Sequence, residues 1–365
     1  DVNRNQCLRY TYGENMQRNQ NGITYLVTGG TGFVMSNVIK HLLETDPHAT
    51  VVILDLTPVE GVVKSFFAPV ANRIFSIQGD IRDKNLLQKL CDEWSFTHVV
   101  HAAMVAGFPS WEQKEPVKFI DVNIMGTVNV IERARTLKNM QQFLYVSSGG
   151  VYGDAAPDSP RGPQPETGPF NPPELYGISK LTSEHIVRRY GELFELSTPR
   201  VRLSGVFGPM ERPTPGRVTM SMPYHMVRSV VEKRPFRTTA ETLKAGGDFL
   251  SAADIAPAMS AIIRAKEHQY NVYNIAFGTF TTVPEVLEAF KTAVPSFEYI
   301  IVEDEGKADV VMDPAQRYAR WNAYSIERIS TEFGWQPRPL VDQFSSYYEW
   351  VMENPEVHCP PIVEP

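Results

Sequence analysis

The sequence predicts an α/β protein with a doubly wound parallel sheet and a smaller C-terminal α/β annex. Two features carry this prediction. Short apolar segments alternate with longer segments of helical period from Ile23 to Leu203, which is typical of a parallel sheet with helices on both faces. The first apolar segment also ends in a glycine-rich turn that leads straight into a helical period.

The first strand–turn–helix unit covers residues 23–40. A buried strand is predicted over 23–28, and helical spacing of apolar residues begins at Phe33. Between them, Gly30 and Gly32 allow a tight turn and a close backbone approach to a phosphate, which the N–H groups of the helix N-terminus would then face. Met35 stands where a third glycine usually permits close helix–strand packing, which leaves the packing of this helix open.

The second strand, 51–55, ends in an acid at the position where dinucleotide-binding units carry one. Asp55 follows the glycine turn by about 20 residues, where a carboxylate accepts hydrogen bonds from ribose hydroxyls. The two features together favour dinucleotide binding over an empty sheet of the same fold. Asp55 would repel a 2′-phosphate, and Leu56 and Thr57 offer it no positive charge, so we expect NAD rather than NADP.

The remaining elements follow from the same periods. In the first half we predict strands at 73–78, 98–103, 142–147 and 198–203, and helices at 83–92, 115–137 and 176–193. In the second half we predict helices at 222–232, 253–265, 283–293, 325–332 and 340–352, and strands at 248–251, 270–275 and 298–302.

These elements suggest four parts of the chain. They are an N-terminal arm (1–22), an NAD-binding domain (23–205, with 247–277 returning to it), a substrate-binding annex (206–246 and 278–352) and a proline-rich tail (353–365). The polar arm has no clear period, and we expect it to lie on its own body or on a neighbouring subunit.

Composition indicates an ordinary globular protein and excludes several classes. Of 365 residues, 21% are charged and 42% hydrophobic, and the net charge of -7 argues against a nucleic-acid or anionic-membrane surface. No apolar stretch is long enough to span a bilayer. The three cysteines lie far apart without metal-ligand spacing, and His98 and His101 are expected to be packed, so we predict a cytoplasmic protein without a metal.

The pair Tyr176 and Lys180 lies four residues apart, on one face of a predicted helix. A free phenol titrates near pH ~10, and a nearby ammonium favours the phenolate, which can then take a proton from an alcohol. Such a pair is often only a surface contact. Here, however, Ser147 and Ser148 end a sheet strand upstream, where a hydroxyl would lie beside the substrate oxygen.

The motifs, in this order and at these distances, resemble the extended short-chain dehydrogenases/reductases of the NAD-dependent epimerase/dehydratase family, which have a Rossmann fold. The resemblance runs from about Ile23 to Trp335 and rests on TGGTGFV (28–34), Asp55, GDI (79–81), HAAM (101–104), VNIMGT (122–127), VSSGGVYG (146–153), YGISK (176–180), VFGP (206–209), DFLSAADIA (248–256), YNIA (273–276) and FGW (333–335).

The resemblance implies roles for individual residues. Ser148, Tyr176 and Lys180 would be catalytic. The residues implied at NAD are Gly29, Thr31, Gly32, Phe33, Val34, Asp55, Leu56, Asp80, Ile81, Ala102, Ala103, Met104, Asn123, Ser147, Tyr176, Lys180, Leu203 and Val206. Among them Asn123 would brace the central strands; a helix N-cap is its plainer role, and the two roles are compatible. The residues implied at the substrate are Met104, Ser148, Gly149, Gly150, Tyr176, Gly205 and Met220.

Three departures from the family pattern bear on the substrate. Gly205 and Gly247 replace an asparagine and an arginine that contact the diphosphate in sugar-nucleotide enzymes, and an Arg-Pro-Gly-Asp segment has no clear counterpart in 305–321. Arg212, Arg217, Arg228 or Arg320 are possible substitutes.

These departures favour an NAD-dependent dehydrogenase of a small secondary alcohol without a diphosphate. The alternatives are an epimerase that retains NAD and, third, a non-catalytic NAD-sensing module. Dehydration is not expected, because Gly149 and Gly150 stand in place of its acidic pair. The resemblance also implies a homodimer, formed through the helices at 83–92 and 115–137.

Overall fold

The computed structural model describes residues 10–11, 22–106, 109–153, 162–214, 217, 219–312 and 323–357, and only the backbone of residues 109–111. Most of the predicted arm, most of the tail, and residues 313–322 lie outside the described residues. The strands are β1 (Thr24–Thr28), β2 (Thr50–Asp55), β3 (Ile74–Gln78), β4 (His98–His101), β5 (Gln142–Ser148), β6 (Arg200–Leu203), β7 (Gly205–Phe207), β8 (Phe236–Thr238), β9 (Gly246–Gly247), β10 (Phe249–Ser251), β11 (Val272–Ile275), β12 (Thr281–Thr282) and β13 (Tyr299–Ile301).

The helices include one that changes type along its length. They are α1 (Phe33–Thr45), α2 (Gly61–Phe67), α3 (Lys84–Glu93), α4 (Pro109–Lys114), α5 (Pro116–Lys118), a π-helix (Phe119–Gly126), α6 (Thr127–Ala134), α7 (Leu175–Phe194), α8 (Met222–Val231), α9 (Ala252–Arg264), α10 (Val283–Ala293), α11 (Glu327–Phe333) and α12 (Leu340–Glu353). Short 3₁₀ segments lie at Ala68–Arg73, Gly149–Val151, Thr242–Lys244, Glu305–Lys307 and Pro355–Val357.

Seven strands form the central sheet, in the order β11-β6-β5-β4-β1-β2-β3, and every pair is parallel. The order reverses at β1, whose neighbours are β4 and β2. In such sheets a ligand binds beyond the carboxyl ends of the strands at this point. The predicted fold class is therefore confirmed. Among the residues described, no helix is both long and apolar enough to cross a membrane.

Local sequence explains most element boundaries. For example, Asp83 caps α3 by accepting hydrogen bonds from the N–H groups of Asn85 and Leu86, and Thr282 and Glu285 form a capping box at α10. The predicted helix over 115–137 is helical over most of that range, but it contains a π-helical segment, Phe119–Gly126, that the apolar period did not indicate.

The annex has its own apolar core. Phe344 of α12 lies between Phe207 of β7 and Phe290 of α10, with ring centroids 5.0 and 5.3 Å apart. All three side chains are fully buried, and the buried faces of α8, α10 and α12 surround them. This core supports β7 and β10, which pair with each other beside the carboxyl end of the central sheet.

Two residues of the N-terminal arm lie against the open edge of the sheet. Thr11 donates its backbone N–H to the carbonyl of Ser76 in the edge strand β3 (2.8 Å). The Tyr10 ring packs against Phe75 and Trp94, and its hydroxyl donates to Glu93 (2.9 Å) and accepts from the Trp94 indole (2.7 Å). At these two positions the arm lies on its own body, and it covers an edge that would otherwise be open to pairing.

We predict that Tyr10→Ala lowers the free energy of unfolding by about 1–3 kcal/mol, because the ring and both hydrogen bonds are lost. Tyr10→Phe keeps the ring and should cost about 1 kcal/mol. Urea unfolding followed by circular dichroism measures both. Tyr299→Ala, at an exposed tyrosine of β13, is the control and should have little effect. Equal stability of wild type and Tyr10→Ala would show that the arm is not anchored there.

Candidate functional site

The turn after β1 brings the backbone close to the end of β4. Gly29 has φ +71°, and a Cβ atom there would lie 2.9 Å from the backbone nitrogen of Ala103. Only glycine fits this position without strain. The turn leads to Gly32, which caps α1 without a side-chain hydrogen bond, and no acid lies in the first turn of the helix. The N-terminus of α1 is therefore suited to an anion.

Asp55 holds the two loops at the adenosine end of the predicted site. Its carboxylate accepts hydrogen bonds from the backbone N–H groups of Thr31 and Thr57, both at 3.0 Å. At the end of β3, Arg82 is bound bidentately to Asp80 and holds the pKa of that carboxyl below its usual range. The Arg82 guanidinium is thus already paired with a carboxylate, and Leu56, 65% exposed, offers an apolar surface beside it.

An arginine from the segment after β7 also reaches the glycine turn. Arg212 donates from Nη2 to the carbonyl of Thr31 (2.9 Å) and from Nη1 to the carbonyl of Met210 (3.0 Å). In the same region Asn37 of α1 donates to the carbonyl of Pro209 (2.9 Å). These hydrogen bonds attach the segment after β7 to the first strand–turn–helix unit. They also place the Arg212 guanidinium beside the glycine turn.

Ser148 and Tyr176 meet at the carboxyl end of β5. The Tyr176 hydroxyl lies 3.5 Å from the Met104 sulfur, and the Ser148 hydroxyl accepts a hydrogen bond from the N–H of Gly150 (3.1 Å). Burial raises the pKa of Tyr176, while a hydrogen bond with Ser148 and the positive charge of Arg217 oppose that rise. The pair can hold and protonate one substrate oxygen.

Lys180 lies one turn after Tyr176 on α7, and its ammonium is buried. Nζ donates to the carbonyl of Val146 (2.5 Å) and lies 4.4 Å from the centre of the Tyr145 ring. Burial lowers the pKa of Lys180 to about 7, and the charge of Glu184 limits the fall. The lysine is therefore near its titration point at neutral pH.

Asn123 braces the site from the π-helix. Its side chain accepts from the N–H of Val105 (2.8 Å) and donates to the carbonyl of Val105 (3.2 Å) and to the Ser179 hydroxyl (3.0 Å). It links the loop after β4 to α7. It lies inside a helix, so the plainer role of an N-cap is wrong.

A cleft of about 1110 Å³ runs along the carboxyl end of the sheet. The predicted residues that line it are Gly29, Thr31, Gly32, Phe33, Val34, Asp55, Leu56, Asp80, Ile81, Ala102, Ala103, Met104, Ser147, Ser148, Tyr176, Leu203, Gly205, Val206 and Met220. Asn123 and Lys180 lie behind its wall. Met35 also lines the cleft, and it is packed in the core, so α1 packs without the third glycine.

The cleft continues into the annex beyond Tyr176. Its far wall includes Arg217, Thr219, Ser221, His225 and residues 309–312. Arg217 binds the buried carboxylate of Glu211 (2.5 Å) and lies over the Phe33 ring (5.1 Å). Two of the four arginines considered above as diphosphate contacts, Arg212 and Arg217, line the cleft. Arg228 does not line it and pairs with Glu232. Arg320 lies outside the described residues.

A smaller cavity of about 230 Å³ adjoins the cleft and contains Gly149 and Gly150 in its wall. Sequence reasoning did not identify three further residues of this wall, Glu174, Asp248 and Tyr324. Asp248 and Tyr324 come from distant parts of the chain, and only the tertiary fold brings them there. Glu174 lies two residues before Tyr176, and that closeness was the one available signal.

The site fits a dinucleotide on the evidence of its own backbone. The approach of Gly29 to Ala103 opens a cradle that a side chain would fill, the uncapped start of α1 faces it, and Asp55 ends β2 at the same edge. Among the residues described, no cluster of three or more His, Cys, Asp or Glu side chains could bind a metal ion.

The model of the NAD dependent epimerase/dehydratase family matches residues 25–276. The chain belongs to this family. It is an NAD-dependent enzyme of the extended short-chain dehydrogenase/reductase type, which confirms the resemblance, the enzyme class and the cofactor predicted from the sequence. Asp55 and the neutral residues after it are consistent with NAD.

Relatives of known name cover nearly the whole chain. UDP-glucuronate 4-epimerase 1 of Arabidopsis thaliana is 26% identical over 92% of this chain and 80% of its own. A UDP-glucose 4-epimerase of Thermotoga maritima, solved with UDP-glucose, has a TM-score of 0.75 at 20% identity over 91% of this chain and 99% of its own. A UDP-glucuronic acid 4-epimerase of Bacillus cereus, solved with UDP-glucuronic acid and NAD, has a TM-score of 0.72 at 22% identity. The match covers 91% of this chain and 100% of the Bacillus cereus chain.

The lowered pKa of Lys180 predicts a pH dependence of stability. Between pH about 7 and 10.5 the folded chain binds fewer protons than the unfolded chain, so this group makes the free energy of unfolding rise with pH, by about 1.4 kcal/mol per pH unit. Lys180→Met should lack this contribution. Urea unfolding of the cofactor-free proteins at several pH values compares the two slopes. Parallel slopes would contradict the buried, titrating ammonium.

Proposed function

We propose that this protein is an epimerase of a nucleotide-linked sugar that inverts a carbon bearing a secondary hydroxyl. The observation that carries the proposal is the continuity of the cleft, which runs from the glycine turn past Ser148 and Tyr176 to Arg217 and His225 in the annex. Single-ligand pockets occupy about 300–1000 Å³, and this cleft exceeds that range. Its lining residues in the annex, beyond those that would contact a dinucleotide, support a second ligand next to the cofactor.

In the proposed reaction Tyr176 takes the proton of the substrate hydroxyl as the carbon is oxidised, and returns it to the same oxygen as the carbon is reduced. Ser148 holds that oxygen through its hydroxyl. Arg217 and, from behind the cleft wall, Lys180 would favour the phenolate of Tyr176, while the N-terminus of α1 and Asp55 would hold the pyrophosphate and the adenosine ribose of NAD. When bound, NAD would supply the hydride acceptor for the oxidation and the hydride donor for the reduction, on opposite faces of the substrate carbon.

Two arginines support a substrate that carries a diphosphate. Gly205 and Gly247 lack the side chains that contact it in sugar-nucleotide enzymes, but Arg212 and Arg217 bring guanidinium groups to the cleft from the segment after β7. The named relatives also favour a sugar nucleotide over a substrate without a diphosphate. A dehydrogenase of a diphosphate-free alcohol is the second candidate, because Arg217 is already bound to Glu211 and Gly247 is buried.

The test is to incubate the protein with UDP-glucose, UDP-galactose or UDP-glucuronate without added NAD and to separate the products by anion-exchange chromatography. We expect conversion to the C4 epimer without net NADH, and nearly stoichiometric NAD released on denaturation. Tyr176→Phe should lower turnover by about 10²–10⁴-fold at unchanged NAD content. NADH that accumulates with product, and only with added NAD, would instead establish the dehydrogenase.

We also propose a homodimer, through surfaces that differ in part from those predicted. Exposed apolar side chains lie on the helical stretch of residues 116–134 and on α7, namely Val117, Ile120, Met125, Ile178, Leu193 and Phe194. The large hydrophobic residues of α3 in the described structure are not among the exposed ones, so α7 replaces α3 in the proposed interface.

The dimer proposal predicts that Ile120→Glu yields monomers, because a carboxylate would be buried in the interface. Light scattering after size-exclusion chromatography measures the mass. Ile300→Glu on β13 is a matched control, since Ile120 is 40% and Ile300 46% exposed. Monomeric wild-type protein, or equal masses for all three, would contradict the interface.

A further inference from the structure

A methionine sulfur contacts the hydroxyl of the reacting tyrosine. The Tyr176 hydroxyl donates a hydrogen bond to Sδ of Met104 over 3.5 Å. Met104 lies in the loop after β4 and lines the main cleft. A thioether sulfur is a weak hydrogen-bond acceptor. A stronger acceptor at the same place would therefore change the state of the hydroxyl.

Met104 is open to solvent, unlike the other described methionines of the cleft. Its side chain belongs to a residue that is 39% exposed. The other four methionines in the described cleft lining are between 3% and 8% exposed, namely Met35, Met220, Met222 and Met312. Two further exposed methionines, Met125 and Met352, do not line the cleft. Among these five cleft methionines, Met104 is the one that a dissolved oxidant reaches most easily.

Oxidation of this sulfur would change the acceptor that faces Tyr176. Hydrogen peroxide transfers one oxygen to a thioether: the S–O bond forms, the O–O bond breaks, and the proton of the transferred oxygen leaves with the departing hydroxide as water. The sulfur loses two electrons, which reduce the peroxide. The resulting sulfoxide is polar, and its oxygen accepts hydrogen bonds. Because the methionine side chain has three rotatable bonds, this oxygen can come within hydrogen-bond distance of the same hydroxyl.

We propose that Met104 is a site of reversible oxidative modification, at which a peroxide lowers turnover by giving the Tyr176 hydroxyl a sulfoxide partner that competes with the substrate oxygen. An acceptor oxygen stabilises the neutral phenol and disfavours the phenolate, so a hydroxyl bound to the sulfoxide keeps its proton. Methionine sulfoxide reductases would restore the thioether. The inference rests on the acid/base role that the proposed function gives to Tyr176.

The first measurement treats the purified protein, with its bound cofactor, with hydrogen peroxide and follows oxidation and turnover together. Peptide mass spectrometry should find Met104 oxidised, and turnover of the UDP-sugar should fall by about fivefold, the worth of one net hydrogen bond. The two methionine sulfoxide reductases, one for each epimer, should restore turnover. Dithiothreitol, which reduces cysteine disulfides and sulfenic acids, should not. Unmodified Met104 in protein that has lost turnover, or recovery with dithiothreitol alone, would overturn the proposal.

Two leucine variants separate Met104 from the other methionines. Met104→Leu cannot form a sulfoxide and should keep its own untreated turnover after exposure to peroxide. The matched control is Met352→Leu, which removes a methionine of α12 that is 54% exposed and lies outside the cleft. It should equal the wild type before treatment and lose turnover about fivefold after it. Equal losses in wild type and Met104→Leu would contradict the modification site.

The pH profile distinguishes a changed phenol from an obstructed cleft. Oxidation should move the rise of turnover that reports the phenolate of Tyr176 to higher pH, so the loss is largest at low pH and smaller at high pH. Equal losses at every pH would show obstruction alone and would overturn the proposed competition at the hydroxyl.

A spectroscopic titration separates this proposal from the epimerase. The ultraviolet absorbance of phenolate, taken as the difference between wild type and Tyr176→Phe, reports the ionisation of this one phenol. If no UDP-sugar is turned over but oxidation of Met104 moves this titration to higher pH, the epimerase is wrong and the modification site stands. An unmoved titration in protein oxidised at Met104 overturns the modification site, whatever the substrate is.

Discussion

The close contact between Gly29 and Ala103 is the constraint on which the rest of this molecule depends. It sets how near the end of β1 comes to the end of β4, and so where α1 begins and how wide the cleft is. The same turn is held from the other side by Asp55, through the N–H of Thr31. Arg212 then links the annex to the same turn by donating a hydrogen bond to the Thr31 carbonyl. One backbone turn thus positions the N-terminus of α1, the carboxylate of Asp55 and the segment after β7 that carries Arg212.

Burial rather than proximity alone controls the electrostatics of the site. Lys180 and the pair Arg202–Glu184 are almost fully buried. Lys180 donates to the carbonyl of Val146, and Arg202 donates two hydrogen bonds to the Glu184 carboxylate. A buried ion pair adds little stability by itself, but removing one partner leaves a costly charge. The pair Arg202–Glu184 also holds the Tyr152 hydroxyl, and Tyr152 supports Tyr324 by stacking. The buried pair Arg202–Glu184 therefore supports Tyr152 and, through it, Tyr324 in the wall of the smaller cavity.

How much of the structure can be predicted from the sequence depends on whether the interactions are local or between distant parts of the chain. The β1–α1 unit, the order of strands and helices, and the residues at strand ends follow from period, glycine chemistry and spacing, all local signals. The two- and three-residue strands such as β9 and β12, and helix α2, are too short to show a period. Only tertiary packing brings Asp248 and Tyr324 to the smaller cavity, and no local sequence pattern identifies them. The packing of Met35 cannot be predicted from local sequence for the same reason, because it depends on the residues that surround Met35 in the core.

The π-helix at Phe119–Gly126 limits how this chain can vary in length. A π-helical turn closes its hydrogen bond one residue later than an α-helical turn, so the segment contains a residue that an α-helix would not accommodate. Removing one residue from this segment would let it return to α-helical winding with the flanking helices near their present orientation, whereas removing one from a flanking α-helix would rotate one half by about 100° against the other. The Asn123 amide would then leave Val105 and Ser179. The segment is therefore constrained in its register and at its buried positions: Asn123 is hydrogen-bonded to Ser179 of α7, and a Cβ at Gly126 would lie 2.4 Å from the Ile81 side chain.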